Sequence, residues 1–273
     1  EHILNLIGKN VLIVNESPAM GDIIAWFPYL EVFRLKHNCT MTYCGPHSQL
    51  FEKNYPEIKF IEYTSDNNVI KQYDATYRLG IFDSNENERF ERHKRHWKRL
   101  TLQEIACDML GLDYEPIKAN IVVNDIGRPI PEKYVAITEW STLMGKLWMA
   151  PKGWQTIVDY LNSMGFKVIV VSKERTNLKN VIVRTDKPIE DTINTIYHAE
   201  FCLAPSTAVN WIAWSLDKKC IVPSGFSESW AEYDNPFRII NTQHCHGCFN
   251  DVNLNFDKEW SACPRKKEYI CST

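Results

Sequence analysis

Residues able to do chemistry fall in five places along this chain. The most specific is near the C-terminal end, where Cys245, Cys248, Cys263 and Cys271 follow the spacing Cys-x2-Cys-x14-Cys-x7-Cys. Four thiolates at such intervals suit one tetrahedral ion, zinc first by ligand chemistry, with iron also at home among sulfurs. A closed set of four ligands leaves no position for substrate, so the ion would be structural. His244 and His246 flank the first pair and could replace one thiolate, and disulfide pairing is the alternative use of the cysteines.

The other four places are shorter. In Ser17-Pro18-Ala19-Met20-Gly21-Asp22 a carboxylate enters the first turn of a helix. There it either complements the helix dipole or takes a proton from an attacking hydroxyl. Ser141 and Thr142 precede Lys146 closely enough to converge on a diphosphate, with Lys146 balancing the charge of a leaving group; the plain alternative is a solvated loop. Ser206, Thr207 and Ala208 mark a strand-to-helix turn whose free N–H groups form an anion site, unless Ser206 is only an N-cap above a core of Trp211 and Trp214. Glu174, with Lys173 at the end of the VIVVSKE run, is placed to bind a ribose hydroxyl or to be a surface charge.

Alternating β-rich runs and helical patterns must position these groups. Strands are predicted at 9–15, 40–44, 58–63 and 74–79, with helices at 22–36, 47–54 and 101–110, the last closed by Gly111. The breaker-rich stretch 124–133 ends this half. After it, strands are predicted at 134–138, 167–172, 181–183, 201–204 and 220–223, and helices at 151–164, 189–198 and 206–216. Strands separated by helices imply parallel sheets covered on both faces, hence two doubly wound, Rossmann-like α/β domains with ligands between their C-terminal sheet edges. The expected division is an acceptor-side domain at 1–128, a nucleotide-sugar domain at 129–240 and the metal finger at 241–273.

Composition narrows the classes. The 273 residues are 44% hydrophobic and 24% charged, enough apolar material for two cores. A net charge of -3 gives no general attraction for nucleic acid. The basic run 93–99 is read as a solvated face; a nucleic-acid-binding protein built around the finger is the non-enzyme alternative. Neither GxGxxG nor GxxxxGK[ST] occurs, so no NAD and no PLP are expected. No apolar run reaches the roughly 18 residues of a membrane span, and the expected location is the cytoplasm. Glu1 in first place suggests trimming or an upstream segment. The lone cysteines Cys39, Cys44, Cys107, Cys202 and Cys220 sit in apolar surroundings and are read as inert buried thiols.

Several of these motifs together resemble the bacterial autotransporter heptosyltransferases, protein O-glycosyltransferases related to the lipopolysaccharide heptosyltransferases. The resemblance rests on Met20-Gly21-Asp22-Ile23, on Ser141 to Trp148 followed by Gly153-Trp154, on Ser206 to Trp214, on Ser224-Gly225-Phe226-Ser227, and on His244 to Asp251. It implies a GT-B type fold and transfer of heptose from an ADP-activated donor to Ser or Thr hydroxyls of an adhesin. By that resemblance Asp22 is the base, Lys146 stabilises the departing diphosphate, Ser206 and Thr207 contact sugar or phosphate, and Glu174 is a further donor contact. It also implies Fe(III) held by the four cysteines, and a homo-oligomer. The chain departs from the family with Ala208 in place of glycine, and with Ser206 where lipopolysaccharide relatives carry aspartate. A related glycosyltransferase with another nucleotide sugar or a glycan acceptor is the neighbouring reading.

Overall fold

The computed structural model describes residues 5–81, 96–256 and 262–273. The chain divides into two compact units between Val122 and Val123. In the first unit, β1 (Asn10–Asn15) carries four consecutive residues, Val11 to Val14, with no exposed surface. Such a run is stable only where both faces of the strand are covered. It forms the inner part of a parallel sheet with β2 (Thr40–Cys44), β3 (Ile58–Ile61) and β4 (Ala75–Leu79), in the order β3-β2-β1-β4. Val11 pairs with Met41 on one side and Ala75 on the other.

The single helix predicted over 22–36 is two helices, α1 (Met20–Trp26) and α2 (Pro28–His37). Pro28 has no N–H to continue α1, and it takes the first position of α2, where that loss costs nothing. The short helix predicted at 47–54 is reduced to a 3-10 turn at Ser48–Leu50, and a one-turn helix α3 (Asn67–Ile70) stands between the strands predicted at 58–63 and 74–79. The next helix, α4 (Leu102–Leu110), opens on a Thr101–Glu104 capping box and closes on Gly111 in the left-handed conformation at φ 64°. Of the basic run, 93–95 lie outside the described residues. Lys98 is not solvated: it is 4% exposed, in a 3-10 turn beside buried Trp97.

The second unit holds β5 (Tyr134–Ile137), α5 (Gly153–Ser163), β6 (Lys167–Val170), β7 (Ile182–Val183), α6 (Ile189–His198), β8 (Cys202–Leu203), α7 (Ala208–Ser215), β9 (Cys220–Pro223) and β10 (Arg238–Ile239). Its sheet is parallel in the order β10-β9-β8-β5-β6-β7. Trp154, Val158 and Leu161 of α5 lie one turn apart and pack on Val135, Ile137, Val168, Val170 and Leu203. Each such burial contributes about 1.5–3 kcal/mol. The chain runs outward from β5 to β6 and β7, then crosses back to β8, so the loops after β5 and β8 meet at a topological switch point. No helix among the described residues is long and apolar enough to cross a membrane. The five lone cysteines are all buried.

Candidate active site

In the first unit the chemistry gathers behind β1. Asn15 ends that strand at 2% exposure, and its Oδ1 accepts the Ser17 backbone N–H at 3.0 Å. Ser17 in turn accepts the Ala19 N–H at 3.2 Å and donates its hydroxyl to Asp22 Oδ2 at 2.7 Å. These bonds span at most five residues, so the loop itself helps to set the carboxylate. Asp22, half-buried, is the third residue of α1, where N–H groups and the helix dipole favour an anion. His47, which the sequence reading passed over, adjoins the same loop. Burial pushes its pKa down, against a hydrogen bond to the Pro18 carbonyl.

In the second unit Lys146 closes a 3-10 turn, Met144–Lys146, after β5. Gly145 in that turn fits because a Cβ there would lie 2.5 Å from the Phe226 ring. Gly153 likewise admits Trp148, whose carbonyl accepts the Trp154 indole N–H at 3.1 Å. Ser141 is 6% exposed and accepts the Leu143 N–H at 3.4 Å, while Thr142 is exposed. A cavity of about 210 Å³ opens beside Lys146, with Trp148, Leu203, Ile221, Ser224 and Ser272 among its walls. Glu174 lies exposed beyond β6, with its own N–H on Ser172 Oγ at 3.1 Å.

Ser206 is not the cap of α7; Thr207 holds the N-cap position and makes no side-chain capping bond. Its Oγ1 is buried without a hydrogen-bond partner, and Ala208 opens the helix behind it. Ser206 itself is 5% exposed and donates its hydroxyl to Glu232, a residue that no motif singles out. Glu232 stands in the SESWAEYDN stretch, whose charges read as a surface loop. The fold buries it to 8% exposure and surrounds it with Ser206, the Asn210 amide at 3.1 Å and the Arg238 guanidinium. Burial alone would raise its carboxyl pKa; the charges of Arg238 and then Lys146, with those hydrogen bonds, hold it below the usual value instead. Lys146, Ser206 and Glu232 therefore share one electrostatic neighbourhood.

The four C-terminal cysteines lie close enough to influence one another. Burial raises the Cys271 pKa, and the neighbouring Cys245 and Cys263 add to it. Burial also raises Cys248, with Cys271 and Cys245 adding to it against the pull of Arg265. At Cys263 burial is outweighed by backbone N–H groups of residues 265–267 and 269, including Lys267 N–H at 3.4 Å from Sγ, and the thiol shifts downward. That donor set suits a thiophilic ion. Among the described residues no three His, Cys, Asp or Glu side chains converge as a metal-ligating group. The segment is fastened to the rest of its unit. Gly247 N–H bonds Gly225 O at 2.9 Å, Phe249 N–H bonds Phe226 O at 2.9 Å, and Met149 N–H bonds Ser272 O at 2.6 Å.

Two parallel sheets covered by helices, with a strand-to-helix turn and a lysine at the switch point of the second, fit the class of α/β glycosyltransferase folds. Solved structures agree. The chain superposes on TibC, described as a bacterial iron-containing dodecameric glycosyltransferase from enterotoxigenic E. coli H10407, with a TM-score of 0.90 and 26% identity over 98% of this chain and 76% of that one. A second structure of TibC, solved in complex with ADP-D-β-D-heptose, matches at a TM-score of 0.88. In sequence the chain is 30% identical to the autotransporter heptosyltransferase Aah of Escherichia coli, covering 97% of this chain and 70% of that protein. It is also 30% identical to the inactive autotransporter heptosyltransferase BimC of Burkholderia thailandensis, covering 97% of this chain and 64% of that protein. The chain belongs to the autotransporter heptosyltransferase family. It spans roughly two thirds of the length of these relatives. No family model matches it.

Proposed function

We propose that the protein is a glycosyltransferase that moves a heptose from an ADP-activated donor onto Ser or Thr hydroxyls of a protein acceptor such as an autotransporter adhesin. The observation that carries this reading is the likeness to TibC over 98% of the chain, because that protein has been solved with ADP-D-β-D-heptose. Asp22 takes the acceptor hydroxyl's proton as its oxygen attacks the anomeric carbon. The bond from that carbon to the diphosphate breaks, and ADP departs with its charge balanced by Lys146 and by the free N–H groups at Thr207 and Ala208. Glu174, Ser141 and Thr142 are assigned to the nucleotide side of the donor. The four cysteines would hold an iron ion, as in a protein described as iron-containing, and the ion's part would be to fold the C-terminal segment. Homo-oligomeric assembly and a cytoplasmic location complete the reading.

The test is to incubate the purified protein with an adhesin fragment and, one at a time, ADP-heptose and a set of UDP- and GDP-sugars, then to weigh the acceptor. A heptose added from ADP-heptose alone is the expected result. Transfer from another nucleotide sugar, or onto glycan only, would replace the donor or acceptor assignment. BimC, named as inactive, supports one further reading, a family member that does not transfer the sugar. Binding of ADP-heptose with no acceptor modified would favour that reading. For the metal, elemental analysis should find iron in the native protein and a large loss in Cys248→Ser. A soluble, folded variant with undiminished iron would remove Cys248 as a ligand.

A further inference from the structure

Glu232 is a costly residue to bury, and the way it is satisfied has a direction. Its Oε2 accepts from Asn210 Nδ2 and from Arg238 Nη2, and its Oε1 accepts from Ser206 Oγ. Asn210 cannot turn its amide round, because its Oδ1 accepts the Tyr233 hydroxyl. Arg238 is held in place, because its Nη1 donates to Ser224 Oγ at 3.1 Å and its side chain is 3% exposed. The carboxylate is thus fixed on three sides and ionised between Arg238 and the field of Lys146. An ionised carboxylate only accepts, and a serine hydroxyl has one proton. The Ser206 proton is therefore committed to Glu232, and toward anything bound at the β8–α7 turn Ser206 has only lone pairs to offer.

We propose that Glu232 is the specificity-determining positioning residue of the donor site: it fixes Ser206 as a hydrogen-bond acceptor, so that Ser206 takes a sugar hydroxyl of the donor and offers nothing to a phosphate oxygen. The inference rests on the donor reading above and assigns work within it. Phosphate oxygens, which only accept at neutral pH, are left to Lys146 and to the backbone N–H groups of the turn. The sugar is read by a hydroxyl whose proton is held elsewhere. Arg238 cancels the charge of Glu232, so a carboxylate can stand near an anion site without repelling its ligand.

The experiment is calorimetric titration of ADP and of ADP-heptose into the wild type, Ser206→Ala and Glu232→Gln. In Glu232→Gln the amide oxygen must face Arg238 and Asn210, so its NH2 faces Ser206 and reverses the polarity of that hydroxyl. In both variants ADP is expected to bind within about twofold of the wild type, while ADP-heptose weakens about tenfold or more, the usual scale for losing a hydrogen bond to a charge-polarised group. Ser206→Ala disturbs no charge. Glu232→Asp keeps the charge but draws the carboxylate back, and is expected to show the same selective loss if Glu232→Gln fails to melt cooperatively. Equal weakening of ADP and ADP-heptose would make Ser206 a phosphate contact and overturn the inference, as would wild-type affinity for ADP-heptose in the Glu232 variants. A wild type that binds neither ligand overturns the donor reading itself, and this inference with it.

Discussion

The two units each present a carboxylate at the C-terminal edge of a parallel sheet, and the two are held in opposite ways. Asp22 is half-buried and takes the hydroxyl of Ser17, five residues away, which Asn15 in turn holds. Glu232 is buried, and its partners Ser206, Asn210 and Arg238 come from the β8–α7 turn, helix α7 and strand β10. A half-buried carboxylate at a helix start is still within reach of a ligand and can exchange a proton with it. One held from every side can only orient its neighbours, and its loss is felt as stability and geometry before chemistry. The difference separates a group suited to catalysis from a group suited to support.

The sharpest way to break the comparison is Asp22→Ala. Transfer is expected to fall about 10²–10⁴-fold, the range for a lost general base, with the melting temperature little changed. Normal turnover in this variant would remove Asp22 as base. On the other side, Arg238→Met leaves Glu232 buried without its ion-pair partner, and denaturant unfolding should show a loss of about 3–5 kcal/mol. A loss below about 1 kcal/mol would mean that the pair is solvated in solution.

Gly225→Ala is next. Its new Cβ would lie 2.5 Å from the Cys271 carbonyl, and backbone cannot swing aside as a side chain can. We expect a cost of about 1–3 kcal/mol with weaker metal retention, read by unfolding and by chelator competition. Ser17→Ala removes one bond to Asp22, and about 1 kcal/mol of lost positioning should lower turnover roughly fivefold. The smallest effect is in pH. The Glu232 pKa is depressed in the folded state from an ordinary 4.5, so its contribution is fully present above that value and is lost as pH falls through the lower folded one. The stability gap between wild type and Glu232→Gln should stay constant from pH 7 to about 5 and narrow only in more acidic buffer.

How far the residues announce the structure can be followed at particular positions. The buried runs of β1 and β6 and the close of α4 at Gly111 were legible, because hydrophobic period and helix ends are set by near neighbours. The break of one predicted helix into α1 and α2 was written in Pro28, which the apolar spacing around it concealed. Buried Lys98 was not legible, since a basic run looks the same whether water or protein surrounds it.

By itself the sequence determined two α/β units, the turns that carry Asp22, Lys146 and Ser206, and the set of four cysteines, because each depends on residues close together in the chain. Only the tertiary structure decided that Ser206 gives its proton to Glu232, that Thr207 rather than Ser206 stands at the head of α7, and that the C-terminal segment is tied to Met149 and Gly225. A hydrogen bond's direction and a charge's burial depend on which distant groups share a few ångströms of space, and that is fixed by packing rather than by spacing along the chain.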